Sequence, residues 1–120
     1  MLSFQDKNVV VLGASARGGT GWETAKLAAE QGARVTVGAR GLDGVQELAG
    51  IIGGLGVRCD AAIEAEVEAM AEAAFAANGS IDVAIMAAGV PFVGMIDAID
   101  PEDVRKAFDI NYFGPFFFIK

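Results

Sequence analysis

A chain of 120 residues supports one domain with its own core but leaves too little material for a second folded unit. Its net charge of −7, with no cluster of Lys or Arg, argues against a phosphate-backbone footprint for nucleic acid, and its apolar runs fall short of the roughly 20 residues of a membrane-spanning helix. Histidine is absent, which removes His-centred triads and His-ligated metals, so no metal site is expected; the single cysteine, Cys59, cannot form an internal disulfide. With no leader pattern ahead of Phe4, a reducing cytoplasm is the expected compartment.

Val9 to Leu12 is a short β-branched apolar run, the pattern of a strand buried on both faces, and it ends at Gly13. After the loop "GASARGGTG", the stretch from Thr20 to Gln31 carries Ala25, Ala28 and Ala29 on one helical face and Glu23, Lys26 and Glu30 on another, with Gly32 as a stop. "ARVTVGA" predicts a second strand. Asp43 with Gln46 three residues on predicts a capping box opening a helix whose apolar positions are Val45, Leu48, Ala49 and Ile52, closed by Gly53 and Gly54.

"GVRC" predicts a third strand ending at Asp60. Ile63, Val67, Met70, Ala71 and Ala74 then line one face of a long helix; Glu64, Glu68 and Glu72 lie on a solvated opposite face, and Asn78-Gly79 ends it. "IDVAIMAAG" predicts a fourth strand and a loop. Asp100 caps a last helix with Pro101 at its first position and Glu102 and Asp103 in its first turn. Regular alternation of strand and helix with short links implies right-handed crossovers: a doubly wound α/β fold with a parallel sheet in order 3-2-1-4.

A strand, a glycine-rich turn and a helix N-terminus together form an anion site, because glycines let backbone N–H groups approach a phosphate and the helix dipole favours its charge. The spacing here is G-x5-G-x-G, from Gly13 through Gly19 to Gly21. Together with "GASARGGTGWETAKLAAEQGARV", the motifs "CDA", "MAAG" and "FDINYFGPF", in that order, resemble the N-terminal half of a short-chain dehydrogenase/reductase, a Rossmann fold. The resemblance spans essentially the whole chain, which is therefore expected to be the N-terminal part of a longer domain. Two departures stand out: the family loop is usually G-x3-G-x-G, so two residues are extra around Ala16 to Gly18, and the family's "NNAG" is Met86-Ala87-Ala88-Gly89.

The resemblance implies that Gly13, Gly19 and Gly21 shape a pyrophosphate loop, with a backbone amide of Thr20 at the helix start and Ser15 near the adenosine ribose or its phosphate. Asp60, with Ala61 beside it, resembles an adenine-contacting acid, or is an ordinary turn or capping Asp. Ala87, Ala88 and Gly89 would pass the nicotinamide-side ribose, or are plain strand-to-loop packing. Where an acid after the second strand would bind a ribose 2′-hydroxyl, Ala39 and Arg40 stand, and Arg17 adds a cation in the glycine loop, favouring NADP over NAD as cofactor.

Asn111 in "DINYFGPF" matches a family Asn that completes a catalytic proton relay. The family's Tyr-x-x-x-Lys does not occur, since Phe116 stands four residues after Tyr112. The expected reading is an oxidoreductase acting on a small carbonyl or alcohol and represented by its cofactor-binding half; the alternative is a non-catalytic dinucleotide-binding module. The 101–120 helix, with Phe113, Phe116, Phe117 and Phe118 spread around it, is expected to be buried on several sides and to join subunits of a homo-oligomer. Pro115, four residues after Asn111, removes the N–H that the Asn111 carbonyl would meet in an α-helix, which would leave that carbonyl open to a water.

Overall fold

The computed structural model describes residues 3–120. Four strands, β1 (Asn8–Leu12), β2 (Arg34–Ala39), β3 (Leu55–Arg58) and β4 (Val83–Met86), form among the described residues one parallel sheet in the order β3-β2-β1-β4. Three helices, α1 (Thr20–Glu30), α2 (Leu42–Ile52) and α3 (Glu64–Asn78), supply the crossovers. The doubly wound fold and its strand order are as the sequence pattern implies, and the order reverses between β1 and β4.

Every residue of β1 is buried. Val9 and Val11 join Val35 and Val37 beneath Trp22 and Ala25 of α1 and Val45 and Leu48 of α2. Val10 and Leu12 face the other way, onto Val67, Met70 and Ala74 of α3. Alternation within a strand thus feeds two cores, which is why the run reads as continuously apolar. At the end of the sheet remote from the glycine loop, buried Asn8 is fully engaged. Its Nδ2 donates to Ser80 Oγ (2.7 Å), its N–H to Asp82 Oδ2 (2.8 Å), and its Oδ1 accepts from Arg34 Nε (2.7 Å). A buried amide satisfied on both sides ties β1, β2 and the entry to β4 together.

Three local expectations are corrected. Helix α2 begins at Leu42 with Gly41 as its N-cap, and Asp43 makes no capping bond, so the Asp43–Gln46 capping box does not form. Only Arg40 and Gly41 separate β2 from α2, so the helix starts before Asp43 can cap it; its charge still suits the first turn. On α3, Ile63 and Ala71 are exposed. Ile63 is the extended cap residue, off the helical stripe, and Ala71 borders a groove beside the C-terminal helix. The 101–120 segment is not one α-helix. It runs as α4 (Pro101–Phe108), a π-helical turn (Asp109–Phe113) and α5 (Gly114–Ile119), with Gly114 N–H donating to the Asp109 carbonyl five residues back. Pro115 cannot supply an ordinary helical bond, and the widened turn lies immediately ahead of it.

The Asp100 cap does form: its Oδ1 accepts from the Glu102 N–H at 2.9 Å. Phe117 and Phe118 of α5 pack on the α3 side of the core, and Lys120 Nζ meets Glu64 Oε1 of α3 at 2.5 Å. Phe108, Tyr112 and Phe116, at four-residue spacing, remain exposed, as do Met95 and Ile96 in the preceding loop. Among the described residues β4 pairs with β1 alone, so its other edge is open. An open strand edge beside an apolar helical stripe favours association. The 120-residue polypeptide is expected to sediment as an oligomer or aggregate, and Tyr112→Glu with Phe116→Glu to reduce that association; a monodisperse monomer at about 50 µM would contradict it.

Candidate functional site

A cleft of about 310 Å³ lies beyond the C-terminal ends of β1 and β4, where the strand order reverses and open α/β sheets bind their ligands. Gly13, Ser15, Gly19, Thr20 and Gly21 line it from the glycine loop, Arg40 from β2, Asp60 and Ala61 from the turn after β3, and Ala87, Ala88 and Gly89 from the segment after β4. The fold thus gathers residues from Leu12 to Ile110 around one space. Ala39, beside Arg40, lines it too, and Leu12, Ala16, Cys59, Val90 and Ile110, which were not anticipated from the sequence, complete the wall. A larger groove of about 480 Å³ between α3 and α5 is lined by core residues such as Val10, Met70 and Phe118, with the paired Glu64 and Lys120 at its rim; it is uncovered core.

Two glycines set the shape of the cleft. A Cβ on Gly21 would stand 2.2 Å from the Gly13 carbonyl oxygen, and one on Gly13, where φ is +102°, would stand 2.3 Å from the Ala88 nitrogen. Helix α1, the end of β1 and the segment after β4 therefore meet backbone to backbone. The small side chains at Ala87 and Ala88 belong to the same packing, since a Gly21 Cβ would also crowd Ala87 Cβ at 3.1 Å. Gly19 N–H donates to the Ala16 carbonyl at 2.9 Å, closing a turn with Gly18 in the left-handed region (φ +71°). That turn, between Ala16 and Gly19, leaves the Gly13–Gly21 approach intact.

Gly19 caps α1 without a side-chain bond, and the N–H groups of Thr20, Gly21 and Trp22 have no acceptor among the described residues. With Gly19, Thr20 and Gly21 on the cleft wall, orphan donors and the positive end of an 11-residue helix suit an anion there.

Ser15 is seated on α2. A Cβ on Gly44 would lie 2.3 Å from the Ser15 carbonyl oxygen, and one on Gly41 would lie 3.3 Å from Ser15 Oγ. The role of Gly44 was missed; its only signal is a glycine inside an otherwise amphipathic helix. Arg40 is exposed at the rim. Arg17, in contrast, does not line the cleft: its guanidinium forms an ion pair with Glu47 of α2.

Asp60 does two things. Its Oδ1 accepts from the Ala62 N–H at 3.0 Å as a turn-former, and its Oδ2 makes no hydrogen bond among the described residues. Its own N–H donates to Glu66 Oε2 (2.6 Å), and Arg58 holds Glu66 Oε1 (2.7 Å); the Asp60 N–H first, then Arg58, lower the Glu66 pKa. Neighbouring Cys59 is buried, and burial pushes its thiol up to about 11, aided by the Glu66 and Asp60 carboxylates and opposed by Arg58.

Asn111 stands in the π-helical turn outside the cleft wall, and its side chain is committed. Nδ2 donates to the Val90 carbonyl (2.8 Å) and Oδ1 accepts from the Val90 N–H (2.9 Å). The pair mimics one rung of a β-ladder and pins the segment after Gly89; a Cβ on Gly89 would sit 3.2 Å from that Oδ1. No helix among the described residues is long and apolar enough to cross a membrane, and their Cys, Asp and Glu side chains form no cluster of three or more that could hold a metal ion.

Residues 13–120 match the family model described as Enoyl-(Acyl carrier protein) reductase. An uncharacterized oxidoreductase, YxnA of Bacillus subtilis, is 33% identical over 117 residues, covering 93% of this chain and 32% of that protein. The crystal structure of 3-ketoacyl-(acyl-carrier-protein) reductase from Brucella melitensis, complexed with NADH, superposes with a TM-score of 0.89 at 30% identity, covering 97% of this chain and 48% of that one. A variant of actinorhodin polyketide ketoreductase, solved with NADPH, gives 0.88 at 29% identity over 98% and 47% of the two chains. The chain belongs to the short-chain dehydrogenase/reductase family. It spans about a third of YxnA and about half of the two solved chains.

Two glycines of α2 make opposite predictions. A Cβ on Gly50 meets nothing within 4 Å, so Gly50→Ala should raise stability by about 0.5–1 kcal/mol through helix propensity alone. Gly44→Ala gains the same propensity and loses more to the Ser15 clash, by about 1–3 kcal/mol. Urea denaturation of both variants checks the contrast.

The Cys59 thiol has a pH signature. Its folded value, about 11, exceeds its ordinary 9.0, so its contribution to stability is complete below pH 9 and is lost between pH 9 and 11. Denaturation midpoints should therefore fall more steeply from pH 8 to pH 10.5 in the parent than in Cys59→Ala.

Proposed function

We propose that the chain is the dinucleotide-binding part of an NADP-dependent oxidoreductase, one that moves a hydride between a nicotinamide and a carbonyl or alcohol. The observation that carries this reading is the cleft at the strand-order reversal, where unpartnered α1 amides adjoin a glycine loop and Arg40 forms the rim. Gly13, Gly19, Gly21 and the Thr20 amide would hold the pyrophosphate, Ser15 the adenosine ribose, Asp60 through Oδ2 and Ala61 the adenine, and Ala87, Ala88 and Gly89 the nicotinamide-side ribose. When bound, the nicotinamide supplies the hydride. Asn111 fixes the loop at Val90 with its side chain and, by family resemblance, offers its backbone carbonyl to a water of the proton relay.

Relatives of similar identity hold NADH in one case and NADPH in another, so the choice rests on this chain's own residues. Ala39 and Arg40 follow β2 where an acid would favour NAD, and an exposed guanidinium suits a 2′-phosphate. Arg17 is the second candidate cation. Because the 120 residues contain no Tyr-x-x-x-Lys, this polypeptide by itself should bind cofactor and turn nothing over; it reads as the N-terminal part of a longer domain.

Calorimetric titration with NADPH and NADH tests the proposal. Arg40→Ala should weaken NADPH about 10- to 100-fold, the loss of roughly 1.5–3 kcal/mol of charge-assisted bonding, with little change for NADH. Equal losses would remove the NADP assignment, and no binding of either would remove the cofactor reading.

A further inference from the structure

Arg17 sits in the turn closed by Gly19 and Ala16, between Ala16, which lines the cleft, and Gly18 at φ +71°. The turn projects Arg17 toward α2, where its guanidinium pairs with the Glu47 carboxylate. The loop is brought there by a contact one helical turn earlier, Ser15 against Gly44, while Gly41, the residue after Arg40, packs on the Ser15 side chain. Four charges thus share one corner: Arg40 and Arg17 against Asp43 and Glu47. All four are exposed.

We propose that Glu47 is a specificity-determining residue: it occupies Arg17, so that Arg17 reaches a ribose 2′-phosphate only in exchange for this ion pair. The inference rests on the reading of the cleft as a nicotinamide-dinucleotide site. The side chains of Arg17 and Glu47 are 74% and 40% exposed, which makes their pair weak and readily exchanged. A phosphate ester carries up to two negative charges and accepts a guanidinium fork, so it competes with a carboxylate for Arg17 and is repelled by that carboxylate. A 2′-hydroxyl does neither. Glu47 therefore acts against the phosphorylated dinucleotide and is neutral toward the other.

Glu47→Gln removes the charge while keeping size and helix propensity, so the fold is retained. Titrations of the full chain with NADPH and NADH should show NADPH tightened about three- to tenfold and NADH unchanged within about twofold, the gain shrinking at 0.5 M salt. In the Arg17→Ala background the substitution should lose most of that effect. An unchanged or lowered NADPH-to-NADH preference in Glu47→Gln overturns the inference, and so does a gain that survives in Arg17→Ala. Arg40→Ala in the same series separates the two readings: if it fails to discriminate while Glu47→Gln does, the Arg40 rim falls and the exchange at Arg17 stands.

Discussion

The architecture of the cleft depends on one contact, the backbone of Gly21 lying against the Gly13 carbonyl. Side chains would ordinarily hold an α-helix and a strand end well apart. Here both are absent, α1 drops onto the end of β1, and the same approach brings Ala87 and Ala88 against Gly13. Any Cβ at either glycine would overlap backbone, which cannot move aside as a flexible side chain can. The direction of α1, and with it the aim of its three unpartnered amides, follows from that constraint.

Around this contact the remaining elements are braced in pairs. Ser15 rests on Gly41 and Gly44, which fixes the loop against α2. Asn111 joins the π-helical turn to Val90 by two hydrogen bonds, giving the segment after β4 a partner that no strand supplies. Gly114, buried against Ala61, sets α5 beside the turn that carries Asp60. At the far end of the sheet, Asn8 links β1, β2 and the entry to β4. The cleft is therefore made mostly of loop residues, each held by a contact with a regular element.

Electrostatically the cleft divides in two. The α1 end offers backbone donors with no charged side chain on the wall, a setting for an anion that needs no counter-ion of its own. The α2 end carries exposed Arg40 and Arg17 with exposed Asp43 and Glu47, and Arg17 and Glu47 pair with each other. Selectivity between two related anions is a difference of affinities, and an acid that costs one of them contributes as surely as a base that binds it.

The order of strands and helices was legible in the sequence because each signal is local. A β-branched run before Gly13, alanines at helical spacing and glycines after helices all act within a few residues, and the crossover rule turns their alternation into a parallel sheet. So were most of the residues lining the cleft, since a glycine loop, Arg40, Asp60 and the Ala87–Gly89 stretch all follow strand ends, whereas Leu12, Ala16, Cys59, Val90 and Ile110 carry no such signal. What only the tertiary structure decided concerns partners distant in the chain. The sequence could not say that Gly44 receives Ser15, that Arg17 turns outward to Glu47, or that the Asn111 side chain is consumed by Val90. Nor could it place a π-helical turn ahead of Pro115 or pre-empt Asp43 as a cap. Each depends on a separation of a few tenths of an ångström to a few ångström between segments, set by the packing of the whole sheet, and residue type alone carries no record of such distances.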